Sequence, residues 1–381
     1  MQEYDNSEFG WLEFLKANLF QFIIYVFIYV LFVWKYTGES RPYPKLVFVF
    51  YVIIVPVLLI VLMKFLPRLI PFVQSGRFYV VFIIFLSAVL TVLMFQFDPG
   101  DIFIGRWWAL NDWIGKLISG QFPYRSAHLP SGLPFLFVLA MPFYFLGDAG
   151  LLQICAFILL AVAMHLRYRK KPASRLRGVI FLAASPVFLF EVLVRSELIF
   201  NVTIVLLYLE IVFQYVNKDS LPKPALFGFI GGLLLSTRGI VLPVYIIFLG
   251  FLFLRYHIRS VSFYLFMIIG FAVTIVPFLL WNADYFLTYG PFSVQLHYIP
   301  SWLLIIALLS SLICAISVKS IRGAHIAIGS ILFGVVFIAF LVSIGENGLT
   351  ASVMKDLFDT GYFAFTLPFL VISFRYSSNS S

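Results

Sequence analysis

Between Leu19 and Phe374 the chain supplies one apolar run after another, most long enough to cross a bilayer, separated by short polar breaks. A spanning helix needs about 20 apolar residues, so this repetition fixes the solvent as lipid before anything else is considered. The runs are apolar on every side and lack the two-residue alternation of a membrane barrel. Helices that satisfy their own backbone groups are therefore predicted. Composition agrees, because 62% of the residues are apolar and 11% are charged, against about 25% charged in a soluble domain. A water-soluble fold is excluded.

Twelve spans are read at about 19–34, 46–66, 78–96, 150–166, 178–190, 198–216, 225–237, 240–254, 262–281, 301–317, 324–344 and 358–374. The fold class is thus an all-α polytopic bundle. Basic residues favour cytoplasmic loops. The cluster Arg167, Arg169, Lys170, Lys171, Arg175 and Arg177 fixes one loop inside. Lys218, Lys223, Arg255, Arg259, Lys319, Arg322 and Arg375 fall on the same side, whereas 282–300 has no Lys or Arg. Parity then places the N-terminus in the cytoplasm and the loop 97–130 outside, with 133–146 as a re-entrant piece. The reverse arrangement, with 131–166 crossing twice, stays open. The acidic leader of Glu3, Asp5, Glu8 and Glu13 is unlike a basic secretory signal, so the first run reads as a retained anchor.

The net charge of +9 belongs to loops and membrane-surface contacts, and nucleic acid is not an expected partner. Cys155 and Cys314 lie apart inside apolar segments, which gives neither a disulfide framework nor a thiol zinc site. No Gly-Lys-Ser/Thr phosphate loop, His-Glu-x-x-His pair or Gly-x-Ser-x-Gly turn is present, which excludes ATP-driven transport by this chain.

Ionisable residues kept in or beside hydrocarbon are functional candidates by default. The first place is the loop 97–130. There Phe103, Trp107, Leu110, Ile114 and Leu117 recur at helical spacing, while Arg106, Asp112, Lys116 and Ser119 lie off that stripe. This reads as an interfacial helix with tryptophans at headgroup depth. Asp98 and Asp101 flank a Pro-Gly turn just before it, as a base beside a headgroup or as helix caps. The second place holds Glu191, Arg195 and Glu197, where opposite charges also make structural pairs. The third is Arg238, between half-length helices broken at Gly239 and Pro243. It reads as a bidentate phosphate ligand or as a snorkelling side chain. The fourth offers Asp284, Gln295 and His297 among aromatic residues.

The order of these elements resembles the C-type polytopic glycosyltransferases. The closest branch includes the GPI mannosyltransferase catalytic subunit and the bacterial polyprenol-dependent mannosyltransferases. The resemblance runs from about Arg77 to Pro300. It rests on the acidic loop, the Gly-x-x-Pro-Tyr element at Gly120, Pro123 and Tyr124, the Pro130 and Pro134 entry, and Ser185-Pro186 followed by Arg195-Ser196-Glu197. Thr237-Arg238 and the stretch from Pro277-Phe278 to Pro291-Phe292 complete it. The chain departs from the family in having Asp-Pro-Gly-Asp rather than adjacent acids, Leu129-Pro130 for Tyr-Pro-Pro, and two additional N-terminal spans.

The resemblance implies transfer of a hexose, mannose by its branch, from a polyprenyl phosphate to an extracytoplasmic lipid or glycan acceptor, with inversion. It places the general base on Asp101, with Asp98 as rival or helper, and phosphate stabilisation on Arg195 and Arg238. Glu197, Tyr124 and His297 are the further substrate-binding positions. A divalent cation, Mg²⁺ or Mn²⁺, is conceivable at the two aspartates, although two ligands are too few to assign one. Residues 1–77 then form an additional hairpin, 78–300 the catalytic core and 301–381 the C-terminal helices. The protein would be multi-pass, in the plasma membrane or a bacterial inner membrane, with its active face outward. The competing expectation is a lipid-linked glycan flippase without catalytic activity.

Overall fold

The structure, a computed structural model, describes residues 11–36, 49–65, 75–98, 106–126, 130–216, 223–256, 260–297 and 299–375, and among these it is helical with no strand. The first elements are α1 (Trp11–Tyr36), α2 (Val55–Phe65) after a π turn at Phe50–Ile54, α3 (Gly76–Gln96) and α4 (Arg106–Ile118). Next come α5 (Pro134–Phe145), α6 (Leu151–Arg167), α7 (Pro172–Ala183), α8 (Pro186–Leu193) and α9 (Leu198–Val216). Then follow α10 (Pro224–Leu235), α11 (Leu242–Tyr256), α12 (Val261–Thr288) and α13 (Pro291–Leu296). The last are α14 (Ser301–Ser317), α15 (Ile321–Asn347), α16 (Leu349–Met354), a 3₁₀ segment Thr360–Thr366 and α17 (Leu367–Ser373).

Six segments are long and apolar enough to cross a membrane: Glu13–Tyr36, Gly76–Gln96, Leu198–Val216, Gly239–Tyr256, Val261–Leu296 and Ile321–Asn347. A seventh results if α7 and α8, bent by 59° at their junction, count as one. Every run expected from the sequence contains helix, but several form helices shorter than the six above or are split. The runs at 150–166, 225–237 and 301–317 are the shorter helices Leu151–Arg167, Pro224–Leu235 and Ser301–Ser317, and 358–374 is split between the 3₁₀ segment and α17. Proline does much of the cutting. It opens α5, α7, α8, α10 and α13, where its missing N–H is tolerated and the preceding residue is pushed out of helical geometry.

The closest backbone approach joins α10 and α12. A Cβ built on Gly232 would stand 2.0 Å from the Met267 carbonyl oxygen, and one on Gly270 would stand 2.2 Å from that of Phe229. Gly228 and Gly232 are four apart, the small-xxx-small spacing that lets apolar helices touch at backbone distance. Elsewhere α9 and α15 are joined by Glu210 and His325, whose oxygen and nitrogen stand 3.0 Å apart with both side chains fully buried. The N-terminal helix is also fastened to the bundle. Asn18, at a kink in α1, donates to the Arg375 carbonyl at 2.9 Å and accepts from the Arg375 amide at 2.6 Å.

These contacts set expected outcomes. Gly232→Leu should lower the melting temperature in detergent, consistent with an overpacking cost of about 1–3 kcal/mol. Gly334→Leu, where an added Cβ meets nothing within 4 Å, should leave it unchanged. His325→Leu alone strands a buried carboxyl and should cost about 3–5 kcal/mol, whereas pairing it with Glu210→Leu should recover most of the loss.

Candidate functional site

Hydrocarbon on both sides leaves charged side chains few places to go, and nine of them meet at one end of the bundle. Arg106 opens α4, an amphipathic helix that buries Ala109, Leu110, Trp113 and Ile114. Its Nη1 donates to Glu191 Oε2 at 2.6 Å and its Nη2 to both Asp359 oxygens at 2.5 and 2.6 Å. Gly361 leaves room for this guanidinium, since a Cβ there would lie 2.2 Å from Nη2. Burial alone would ease the proton off Arg106, but Asp359 and Glu191 hold it on, well above the ordinary guanidinium range. Burial works to raise the Asp359 carboxyl, and the Arg106 charge outweighs it and keeps the group below its usual range. The Ser196 hydroxyl also donates to Glu191 Oε2, while Oε1, buried, has no hydrogen-bond partner among the described residues.

Arg195 has a left-handed backbone, φ 54°, that few residues with side chains adopt. Its surroundings over-determine it. Nη1 donates to Asp148 Oδ2 at 2.6 Å, and Nη2 donates to the carbonyls of Met94 at 3.2 Å and Phe97 at 3.1 Å. It therefore holds the end of α3, one residue before Asp98. The other Asp148 oxygen accepts from Trp107 Nε1 at 2.9 Å and from the Gly150 amide at 2.7 Å. One carboxylate thus ties the start of α4 to the guanidinium that grips the end of α3.

Arg238, in the break between α10 and α11, donates to Glu197 Oε1 at 2.6 Å and to the Ser131 hydroxyl at 2.9 Å. The rings of Phe365 and Tyr362 lie 5.2 and 5.9 Å from its guanidinium carbon. The break is knitted by backbone: Leu133 and Phe135 amides donate to the Thr237 and Ser236 carbonyls, and the Gly239 amide donates to Gln295 Oε1 at 2.7 Å. Lys35, at the end of α1, completes the layer on Asp356 at 2.6 Å and Thr360 at 3.0 Å.

The structure brings Arg195, Glu197 and Arg238 into this layer, but the expected partners are exchanged. Glu191, Arg195 and Glu197 each pair with a residue from another segment rather than with one another. Both guanidiniums named as phosphate ligands already hold a carboxylate. Asp98 is exposed at the exit of α3, and Asp101 lies outside the described residues. Tyr124 is fully buried, and its hydroxyl donates to the Gly132 carbonyl at 3.0 Å, next to Ser131. It shapes the layer from behind. His297 is exposed at the end of α13, while Gln295 reaches inward and also donates to the Ser131 carbonyl at 2.6 Å.

Sequence reasoning missed Lys35, Asp148 and Asp359, and set Arg106 off the apolar stripe of its helix without naming a partner for it. Asp148 lies just beyond the segment 133–146. The available signal was a charge at the edge of an apolar run, which demands an opposite charge at the same depth. Among the described residues no group of three or more His, Cys, Asp or Glu gathers to hold a metal ion. The chain matches no protein-family model, no curated protein and no solved structure.

The Arg106–Asp359 contact carries a pH dependence. The Asp359 carboxyl is depressed in the folded protein, so its stabilising contribution is complete at neutral pH and is lost as pH falls below about 4. The protection factors of amides 106–118, with exchange normalised to its intrinsic rate at each pH, should fall between pH 6 and pH 3. In Asp359→Asn they should be low at pH 6 already and change less on acidification.

Proposed function

We propose that the chain is a membrane glycosyltransferase that moves a hexose, mannose by the resemblance of its motifs, from a polyprenyl phosphate to a lipid or glycan acceptor. The observation that carries this reading is the gathering of Arg195, Glu197 and Arg238 in one ion-paired layer, beneath the amphipathic helix that follows Asp98-Pro-Gly-Asp101. The bundle crosses the bilayer about twelve times, with α4 lying at the membrane surface. Arg167, Arg175 and Arg322 belong to helix ends remote from this layer, which supports a cytoplasmic basic end and an outward-facing site in the plasma membrane or a bacterial inner membrane.

In the proposed reaction the acceptor hydroxyl oxygen attacks the anomeric carbon, the carbon–oxygen bond to phosphate breaks, and configuration inverts. The hydroxyl proton passes to Asp101, or to Asp98 in its place. The departing phosphate gains charge, which Arg238 meets by turning from the neutral Ser131 hydroxyl while Glu197 keeps its charge in place. A donor so oriented is worth about 3 kcal/mol in the barrier. Arg195 holds the end of α3, ahead of Asp98, through the Phe97 carbonyl.

Transfer from a synthetic polyprenyl-phosphate mannose by the purified protein tests this. Asp101→Asn or Asp98→Asn should lower the rate about 10²–10⁴-fold, and Arg238→Gln about 10²-fold. Full transfer by both aspartate variants removes the base role. Movement of a lipid-linked sugar across proteoliposomes without transfer, unaffected by either change, favours the flippase.

A further inference from the structure

The N-terminal hairpin contains a cleft that the polar layer does not use. Around the meeting of Tyr29 and Tyr51, whose ring centroids are 6.1 Å apart, α1 and the π turn before α2 enclose a cavity of about 360 Å³, with Phe181 of α7 as its floor. None of the residues lining it is charged. Two hydroxyls are turned into backbone, Tyr25 donating to the Phe181 carbonyl at 2.9 Å and Tyr29 to the Tyr51 carbonyl at 2.5 Å. The walls therefore present ring faces and aliphatic groups. Val26, Val30 and Trp34 are 38%, 57% and 41% exposed, so the cleft opens sideways, where this chain meets lipid.

Its dimensions select an occupant. The volume lies at the lower end of the roughly 300–1,000 Å³ of ligand sites. Along α1 the lining runs from Phe22 to Trp34, about 18 Å at 1.5 Å per residue, or little more than half of a hydrocarbon core about 30 Å thick. The next residue, Lys35, enters the polar layer through Asp356 and Thr360. One end of the cleft thus stands at headgroup depth beside a tryptophan, and the other near the bilayer midplane.

We propose that this cleft binds one hydrocarbon chain of a lipid from the leaflet bordering the polar layer, with the lipid head beside Trp34. An apolar cavity of this kind holds no water and takes apolar guests. The inference does not depend on the glycosyl-transfer reading. It adds a lipid site to a hairpin that the resemblance leaves without a role.

The full chain in nanodiscs of phosphatidylcholine carrying a diazirine at one chain end tests it. After irradiation, label mapped by mass spectrometry should concentrate at the deep end of the cleft, on peptides containing Phe22–Val26 and Pro56–Ile60. Val30→Trp should lower that labelling at least threefold while labelling around Leu280, 83% exposed on α12, stays constant. Should Val30→Trp not fold, Val52→Trp narrows the cleft from its other wall and should act alike. Label spread evenly over the outer faces of α3, α12 and α14, or indifferent to both substitutions, overturns the site. So does a disulfide between two copies of Val30→Cys, which would make the cleft a contact between chains.

Discussion

Charge removed from water has to be matched, and the polar end of this protein is built around that requirement. Arg106, Arg195, Arg238 and Lys35 meet Glu191, Asp359, Asp148, Glu197 and Asp356 at 2.5–2.6 Å. Where both partners are buried, as in Arg195–Asp148 and Arg238–Glu197, an unmatched ion would cost several kcal/mol, so each partner holds its opposite at a fixed depth, whereas Asp356 is half exposed. Because the partners come from segments as distant as 106 and 359, the pairs also register helices that are remote in sequence. Depth and topology are set together.

The same layer explains how so many half-length helices survive. A helix that ends inside a membrane exposes up to four carbonyls or amides, and irregular backbone is tolerated there only when protein surrounds it. At this level α3 ends on the Arg195 guanidinium, and the break between α10 and α11 is paired with the entry to α5 and with Gln295. Ion pairs and chain breaks thus serve one another. The breaks bring polar groups to the layer, and the layer satisfies their ends.

Much of this was legible in the sequence. Runs without alternation predicted helices, and the stripe around Leu110 and Ile114 marked α4, both residues being buried, whereas the break at Pro186 that splits the run 178–190 into α7 and α8 went unread. Arg195, Glu197 and Arg238 stood out because charge is scarce in such a chain. What could not be read was the pairing. Glu197 has Arg195 two residues away, yet its partner is Arg238, because backbone direction and depth decide contact rather than distance along the chain. Lys35 and Asp359 sit at ends of apolar runs, where many such residues merely face water. Their role emerges only once α1 and the 3₁₀ segment lie side by side.

Among the pairs of this layer four cations stand against five carboxylates, counting those just named, so a phosphate meets no unmatched guanidinium among them. On the proposed reading that is an advantage. An arginine held by a carboxylate and a hydroxyl is already desolvated and aimed, so little reorganisation remains when charge appears nearby. A ground-state phosphate must compete with Ser131 and Glu197 for Arg238, whereas the fuller charge on the departing phosphate competes better. The interaction then strengthens along the reaction, which is the condition under which binding accelerates chemistry rather than merely retaining substrate.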